Sequence, residues 1–497
     1  MSRVRIRIEP RGLVLDVPRG AELADFLAAE GVELPCGGRG ECGGCRVRVL
    51  EGELAAAEED RALLGPERVA AGWRLACRCR ADADATIEVE EWRHPILGDE
   101  TPFAFTPRDG VGIAVDVGTT TLVAQLVDLG RGGVLGVETR LNAQARYGSD
   151  LMSRIEAAGA GEPLEATIRG QVGGLVARLL DSGGIAPERL GRIVLVGNTA
   201  MHHLFGGLDV APLAAYPFET PRPDTLHWRA HELGWARAGA AEVAFLSCLG
   251  GFVGSDVLAG LRAIGLEHAA FPAGMLDLGT NGEIVVGAGE RLYCGSAAAG
   301  PAFEGARISC GMRAAAGAIS AVGVEAGRLV AHVLGGGPAR GICGSGLVDA
   351  VARGLEIGRI APSGRLAGGA TSLELQDGLA LTQRDIRELQ LAKGALAVGL
   401  RLLSARAGTE PKRLARLSLA GAFGNYVSRE SARRIGLFDT PLDRVASAGN
   451  AALLGAKLAL FDDDLEQLAL RRRIVHVPLA AEPGFGDAFA EAMGFPE

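Results

Sequence analysis

The chain has 497 residues, of which 48% are apolar and 22% charged, and its net charge is −9. Such a length holds roughly two to four domains with large cores, and the composition is that of an ordinary globular protein. The negative balance excludes nucleic acid as the main partner, and no apolar run reaches the ~18 residues of a membrane helix.

The first residues, MSRVRIRIEP, lack the apolar core of a signal peptide. They predict a cytoplasmic protein with no membrane partner, whose nine cysteines serve as ligands or buried thiols rather than disulfides. The basic clusters Arg3-Arg5-Arg7 and Arg471–Arg473 read as solvated faces. Val4, Ile6 and Ile8 alternate with those arginines, which predicts a half-buried strand. Leu13–Val17 is a second short strand, and Ala21–Glu30 reads as a helix.

PCGGRGECGGCRVRV is the strongest chemical signal. Cys36, Cys42 and Cys45 follow a C-x5-C-x2-C spacing, with Gly37, Gly38, Gly40, Gly43 and Gly44 among them. A loop that wraps a cluster must aim its N–H groups at the sulfurs, and glycine permits the close approach. RVRVLEGEL then alternates as a strand. A fourth thiolate is expected further on. Cys77 in WRLACRC, with 31 residues between it and Cys45, is preferred to Cys79, which on a strand would share its face. Zinc also takes four thiolates, but its usual pattern is two C-x2-C-like pairs. Three ligands in one glycine-rich loop favour a 2Fe–2S cluster. The loop is one residue longer than the plant-type spacing and is similar to adrenodoxin-type and activator-type ferredoxins. RLAC resembles the fourth-ligand segment of ferredoxins, so residues 1–92 are expected to form a β-grasp 2Fe–2S domain.

Residues 93–109 carry Pro95, Pro102 and Pro107 with little periodicity and read as a linker. Next comes VGIAVDVGTTTLVAQLVDL, a strand, a tight turn and a strand, with Asp116, Gly118, Thr119 and Thr120 at the turn. Backbone N–H groups and small hydroxyls there can cradle phosphate, and an aspartate at a strand end can hold Mg2+ through water. GMLDLGTNGEIVVG repeats the pattern with Asp277, Gly279, Thr280 and Asn281. Two such turns suggest two similar halves facing one nucleotide, and the arrangement resembles the actin, Hsp70 and sugar-kinase superfamily of ATPases.

Between the turns, Asn142–Ile155 reads as a loop entering a helix, and GRIVLVGNTAMHHLFGG as a strand, a turn at Gly197-Asn198-Thr199 and a helix. Asn198 is expected to cap that helix. His202 and His203, adjacent on one helix, are expected to have surface or packing roles rather than to form a metal pair. Leu249–Ala263 reads as a helix joining the lobes, with Asp256 in its first turn, where a carboxylate is favourable in any case. GICGSGLVDAVA is a glycine-rich turn into a helix, while Cys248, Cys294, Cys310 and Cys343 are expected to be buried small residues. LSLAGAFGNYV reads as a strand and a glycine turn, and ASAGNAALLGAKLAL as a small-residue helix in which Gly449, Ala451 and Ala452 allow close contact.

CGGRGECGGC, AVDVGTTT, RYGSDLMSRI, VGNTAMHHL, LDLGTNGE, AGPAFEGARISCGM, GICGSGLVDA and AGAFGNYV, in this order, resemble the reductive activators of corrinoid proteins over nearly the whole chain. One departure is the short linker, where some members carry an extra segment. The resemblance implies an α/β and α+β multidomain protein. A β-grasp ferredoxin (1–92) and a linker (93–109) would precede a two-lobed actin/Hsp70/sugar-kinase-like ATPase with lobe I at 110–270, lobe II at 271–445 and a C-terminal region at 446–497 returning to lobe I. It implies an ATP-hydrolysing activase that passes an electron from its 2Fe–2S cluster to Co(II) cobalamin of a corrinoid protein or methyltransferase. An upstream electron donor and a homodimer come with that reading. The cofactors would be the cluster on Cys36, Cys42, Cys45 and Cys77, with ATP and Mg2+. Asp116 and Asp277 would act in catalysis, Gly118, Thr119, Thr120, Gly279, Thr280 and Asn281 on the phosphates, and Gly421, Gly424 and Asn425 on adenosine. Asp256 and Glu283 are further carboxylates whose part spacing does not decide. Electron donation to another metalloenzyme, a ferredoxin-fused small-molecule kinase and a redox-sensing ATP-dependent binding module are the alternatives.

Overall fold

The computed structural model describes residues 2–9, 12–29, 45–89, 103–148, 150–216, 218–279, 281–288, 290–462 and 464–497. Cys36, Cys42, Thr280 and most of the expected linker lie outside the described residues. The chain divides into two compact units, one of residues 1–93, 119–121 and 140–171, the other of the remainder.

In the first unit, strands β1 (Arg3–Glu9) and β2 (Leu13–Pro18) form a hairpin, followed by helix α1 (Leu23–Ala29). Strand β3 (Arg46–Gly52), helices α2 (Glu58–Leu64) and α3 (Pro66–Ala70), and strands β4 (Trp73–Leu75) and β5 (Ala85–Val89) complete a sheet of order β2-β1-β5-β3-β4. Alternation decides its faces: Val4, Ile6 and Ile8 are buried while the arginines between them are exposed. Leu23 and Leu27, one turn apart on α1, enter the same core. The sequence reading lacked α2 and α3. Three acids, Glu58, Glu59 and Asp60, open α2, where they complement the positive end of its dipole. Asp60 is buried and accepts hydrogen bonds from Ala57 N and Leu75 N, both at 2.7 Å, so it fixes the end of β4.

The second unit is built on two six-stranded sheets of matching plan. Strands β6 (Val111–Val117), β7 (Thr121–Asp128) and β8 (Val134–Leu141) lead into helices α4 (Leu151–Gly159) and α5 (Leu164–Ser182), much of which belong with the first unit. Strand β9 (Leu190–Val196), helices α6 (Thr199–Gly206) and α7 (Ala211–Ala214), strands β10 (Leu226–Arg229) and β11 (Glu242–Phe245), and helix α8 (Ser255–Ala263) follow. The first sheet runs β10-β11-β9-β6-β7-β8, with β9 and β11 parallel to β6 and β7 antiparallel to it.

The second sheet starts from β12 (Ala273–Leu278), β13 (Gly282–Ala288) and β14 (Arg291–Ala297). A small sheet of β15 (Ala318–Glu325), β16 (Arg328–Val333) and β17 (Gly341–Ile342) precedes helix α9 (Gly344–Glu356), and the hairpin β18 (Ser372–Glu374)–β19 (Ala380–Thr382) precedes helix α10 (Gln383–Arg406). Then come β20 (Arg416–Ala420), α11 (Gly421–Tyr426), α12 (Arg429–Arg434), β21 (Val445–Gly449), α13 (Ala451–Ala459), α14 (Asp464–Arg473), β22 (Ile474–His476) and α15 (Phe485–Ala492). The order β21-β20-β12-β13-β14-β22 repeats the parallel and antiparallel pattern of the first sheet around β12. Helix α13 packs on β6, β9 and α8, whereas β22 extends the second sheet and α15 packs on α10.

Several local expectations change. Ala446–Gly449 is a strand rather than the start of a helix, because parallel pairing with β20 outweighs the helix propensity of its alanines. The close helix contact falls at Gly455, where an added Cβ would lie 2.1 Å from Ala259 O, and not at Gly449, which has open space around it. The glycine turn expected after β20 is a helix, α11. His202 and His203 are both buried, with His202 Nε2 3.1 Å from Asp224 O and His203 Nδ1 2.9 Å from Thr199 O, so packing is their place and not the surface. The end of the expected linker does not stand free: the rings of Phe103 and Phe105 pack at a tilt against Phe461, with centroids 5.5 and 4.7 Å away.

Candidate functional site

The first site is a thiol pair. Strand β4 ends at Leu75, and Ala76–Arg78 form a single 3-10 turn, so Cys77 and Cys79 are not on one strand face as the sequence reading supposed. Ala76 N donates to Cys45 O at 2.7 Å, which holds this turn against the start of β3. The turn brings Cys77 Sγ to 3.3 Å from Cys45 Sγ. Cys79 Sγ instead donates to Leu75 O at 3.3 Å, and burial, with Asp60 nearby, pushes its thiol up to about 12. Cys79 Sγ is thus engaged with the backbone of Leu75, whereas Cys77 Sγ meets Cys45 Sγ. Two converging thiols fit the donor chemistry of an iron–sulfur cluster.

The second site lies at facing strand ends of the two sheets. Asp116 is near the end of β6 and Asp277 near the end of β12. Glu283 on β13 is the cross-strand partner of Asp277, an arrangement that puts two like charges side by side. Asp256 enters from the first turn of α8, whose start is fixed where Ser255 N donates to Gly197 O at 2.9 Å. Burial raises all four carboxyls, and repulsion among them adds to it for all but Asp277. Asp277 is pushed up to about 6, Asp116 to about 7, with Asn450 opposing and Asp277 adding, and Asp256 to about 8, with Asp277 the next cause. Glu283 is raised well above the ordinary carboxylate range by burial and then by Asp256 and Asp277.

Among the described residues no lysine or arginine pairs with any of the four. Such a charge deficit fits a divalent cation. No three His, Cys, Asp or Glu side chains among the described residues come close enough to ligate one directly.

Glycines fit the backbone around these groups. Gly421 has φ +81°, and a Cβ there would lie 2.5 Å from Asp277 Oδ1. It therefore backs the Asp277 carboxylate. A Cβ on Gly424 would touch the backbone of Leu419 at 3.1 Å, while the side chain of Asn425 lies outside what is described. Gly279 N donates to Asn281 O at 3.2 Å and closes the second turn. In the first, Gly118–Thr120 join β6 to β7, Thr119 is buried, and Thr120 O accepts from Asn142 N at 2.8 Å. Asn198 caps α6 as expected, accepting from Met201 N at 2.9 Å.

Sequence reasoning missed Asn450. Its Nδ2 donates to Asp116 Oδ2 at 3.2 Å, and its Oδ1 caps α13 by accepting from Leu453 N at 3.0 Å. An asparagine before an apolar helix is a legible cap signal; its reach to Asp116 is not. Phe303 and Phe423 were missed too. They stack with centroids 4.7 Å apart beside Gly344, the first residue of α9.

Residues 6–82 match the 2Fe–2S iron–sulfur cluster binding domain, 111–269 the RACo middle region, and 273–497 the C-terminal domain of RACo, the ASKHA domain. The chain is 34% identical over 444 residues to the corrinoid activation enzyme RamQ of Eubacterium limosum, covering 81% of this chain and 74% of that one. It is 27% identical over 420 residues to a [Co(II) methylated amine-specific corrinoid protein] reductase of Methanosarcina barkeri, covering 76% of each. A solved structure, the reductive activator for corrinoid, iron-sulfur protein, aligns at a TM-score of 0.69 and 26% identity, covering 99% of this chain and 98% of that one. Among the described residues no helix is long and apolar enough to cross a membrane. A β-grasp ferredoxin-type domain and an actin- and sugar-kinase-like domain thus share one polypeptide, and the chain belongs to the reductive activators of corrinoid proteins.

Proposed function

We propose that this protein uses ATP hydrolysis to drive one electron from a 2Fe–2S cluster onto the Co(II) corrinoid of a partner protein, giving Co(I). The observation that carries the reading is the presence, in one chain, of a thiol pair 3.3 Å apart in a cluster-binding domain and a four-carboxylate site on a kinase-like frame. The partner is a corrinoid protein, as the names of its relatives support, or a corrinoid-dependent methyltransferase. An upstream donor supplies the electron, and the working form is a homodimer.

When bound, a ferredoxin-type cluster supplies one-electron chemistry at about −400 mV. Cys45 and Cys77, with Cys36 and Cys42, are its ligands, and the Asp60–Leu75 hydrogen bond steadies the turn that carries Cys77. Each 100 mV of uphill transfer costs about 2.3 kcal/mol per electron. Nucleotide offsets such a cost when it binds two states of the protein with unequal affinity. Asp116 and Asp277 position Mg2+ and the attacking water, which leaves ATP as ADP and phosphate. The turns at Gly118–Thr120 and Gly279–Asn281 take the phosphate oxygens, and Gly421, Gly424 and Asn425 take adenosine. Asp256, on the first turn of α8, and Glu283, opposite Asp277, complete the carboxylate group around Asp116 and Asp277.

The test is anaerobic absorbance of a Co(II) corrinoid protein mixed with reduced protein, with and without MgATP. Co(I) is expected only with ATP. Cys77→Ser is expected to remove cluster absorbance and Co(I) formation, whereas Cys79→Ser keeps both. A phosphorylated small molecule in place of free phosphate, or no Co(I) from protein that holds its cluster and hydrolyses ATP, overturns the reading.

A further inference from the structure

Asn450 has no charge, stands 334 residues from Asp116 in sequence, and nevertheless holds it. Its amide is divided between two tasks. Oδ1 caps α13 through Leu453 N at 3.0 Å, and Nδ2 donates to Asp116 Oδ2 at 3.2 Å. The cap fixes where the amide sits, so the donor points at one oxygen of Asp116. The other oxygen, Oδ1, has no hydrogen-bond partner among the described residues. Asn450 is itself buried, and a hydrogen bond to a charged group in such a place is stronger than a neutral one.

We propose that Asn450 is a positioning residue of the nucleotide site, which orients Asp116 so that Oδ1 is presented to a water of the nucleotide-bound Mg2+. This rests on the proposed ATPase reading. In a crowd of four carboxylates with no cation among the described residues, a fixed neutral donor does what a lysine would do less well: it orients one carboxylate and leaves the net charge that attracts the metal. It also ties that orientation to the start of α13, the helix packed against α8, which carries Asp256.

Two substitutions separate the tasks. Asn450→Ser retains a cap, because a serine hydroxyl accepts well at that position, and is too short to reach Asp116. Asn450→Ala loses both. Each full-length variant is followed by thermal unfolding with ADP alone and with ADP plus Mg2+, and by the Mg2+ dependence of ATP hydrolysis. Both variants are expected to need roughly tenfold more Mg2+, the scale of one hydrogen bond to a charged group, and to lose most of the extra Tm that Mg2+ adds over ADP. The nucleotide-free Tm stays near wild type for Asn450→Ser and falls about 2–4 °C for Asn450→Ala. Wild-type Mg2+ dependence and a wild-type Mg2+ gain in Tm for Asn450→Ser would overturn the inference alone. Absence of any Mg2+–ADP effect in the wild-type protein would overturn the ATPase reading with it.

Discussion

The two sheets of the second unit follow one plan and differ in what they place on it. Asp116 at the end of β6 matches Asp277 at the end of β12. Gly197 follows β9 as Gly421 follows β20, and α8 and α13 each follow the edge-side parallel strand. Opposite Asp116 on the neighbouring strand stands Val123, while opposite Asp277 stands Glu283. At the helix starts the exchange is reversed: α8 brings Asp256, and α13 brings the neutral Asn450. Each half thus contributes two carboxylates, from different elements. The strand ends and glycines are fixed by backbone geometry, and the chemistry has diverged at positions where a side chain can change without moving the frame.

The largest test of this pairing is Asp116→Ala against Asp277→Ala. Both are expected to lower ATP hydrolysis by about 10²-fold or more; full activity in Asp116→Ala would falsify the shared site. Next come the matched glycines. A Cβ on Gly197 would lie 2.7 Å from Val117 O, and one on Gly421 2.5 Å from Asp277 Oδ1 with φ at +81°. Each alanine is expected to cost roughly 1–3 kcal/mol in denaturant unfolding, but only Gly421→Ala meets a carboxylate and should also weaken nucleotide binding. Equal nucleotide affinity in the two would break the distinction.

A smaller effect is the pH dependence. Asp277, Asp116 and Asp256 sit at about 6, 7 and 8, above their unfolded value of about 4. The folded state therefore binds these protons more tightly. The stabilisation is full below about pH 4 and is lost as pH rises through the folded values. Tm of the nucleotide-free protein is expected to fall between pH 6 and 8 and to fall less with MgADP; a Tm slope unaffected by MgADP would count against this charge balance. Smallest is the contrast at the last helix pair. Gly455→Ala, which meets Ala259 O, should cost roughly 1–3 kcal/mol. Gly449→Ala, at φ +62° in open space, should cost about 1 kcal/mol.

What was legible followed from local pattern. The alternation of Val4, Ile6 and Ile8 marked β1, and the repeated Asp-x-Gly-Thr turns marked the ends of β6 and β12, where Asp116 and Asp277 stand. What was not legible depended on distant pairing. Nothing near Asn450 announces Asp116, which it meets because α13 packs on β6, and nothing in LAGAFG places Gly421 against Asp277, which it meets because β20 pairs with β12. The position of Cys79 was misjudged for a local reason: one tight turn after Leu75 ended the strand on which alternation would have held.

The contact of Gly455 with Ala259 O has a mechanical meaning. Where helices interlock through side chains, they slip in steps of about one turn, as knobs leave one set of holes for the next. Here, at Gly455, backbone lies against the backbone of Ala259, and the side chains around that point, Ala451, Ala452 and Ala456 on α13, are small. At that point the crossing resembles a plain bearing, two smooth surfaces in contact. A side chain at position 455 would turn that bearing into a ratchet.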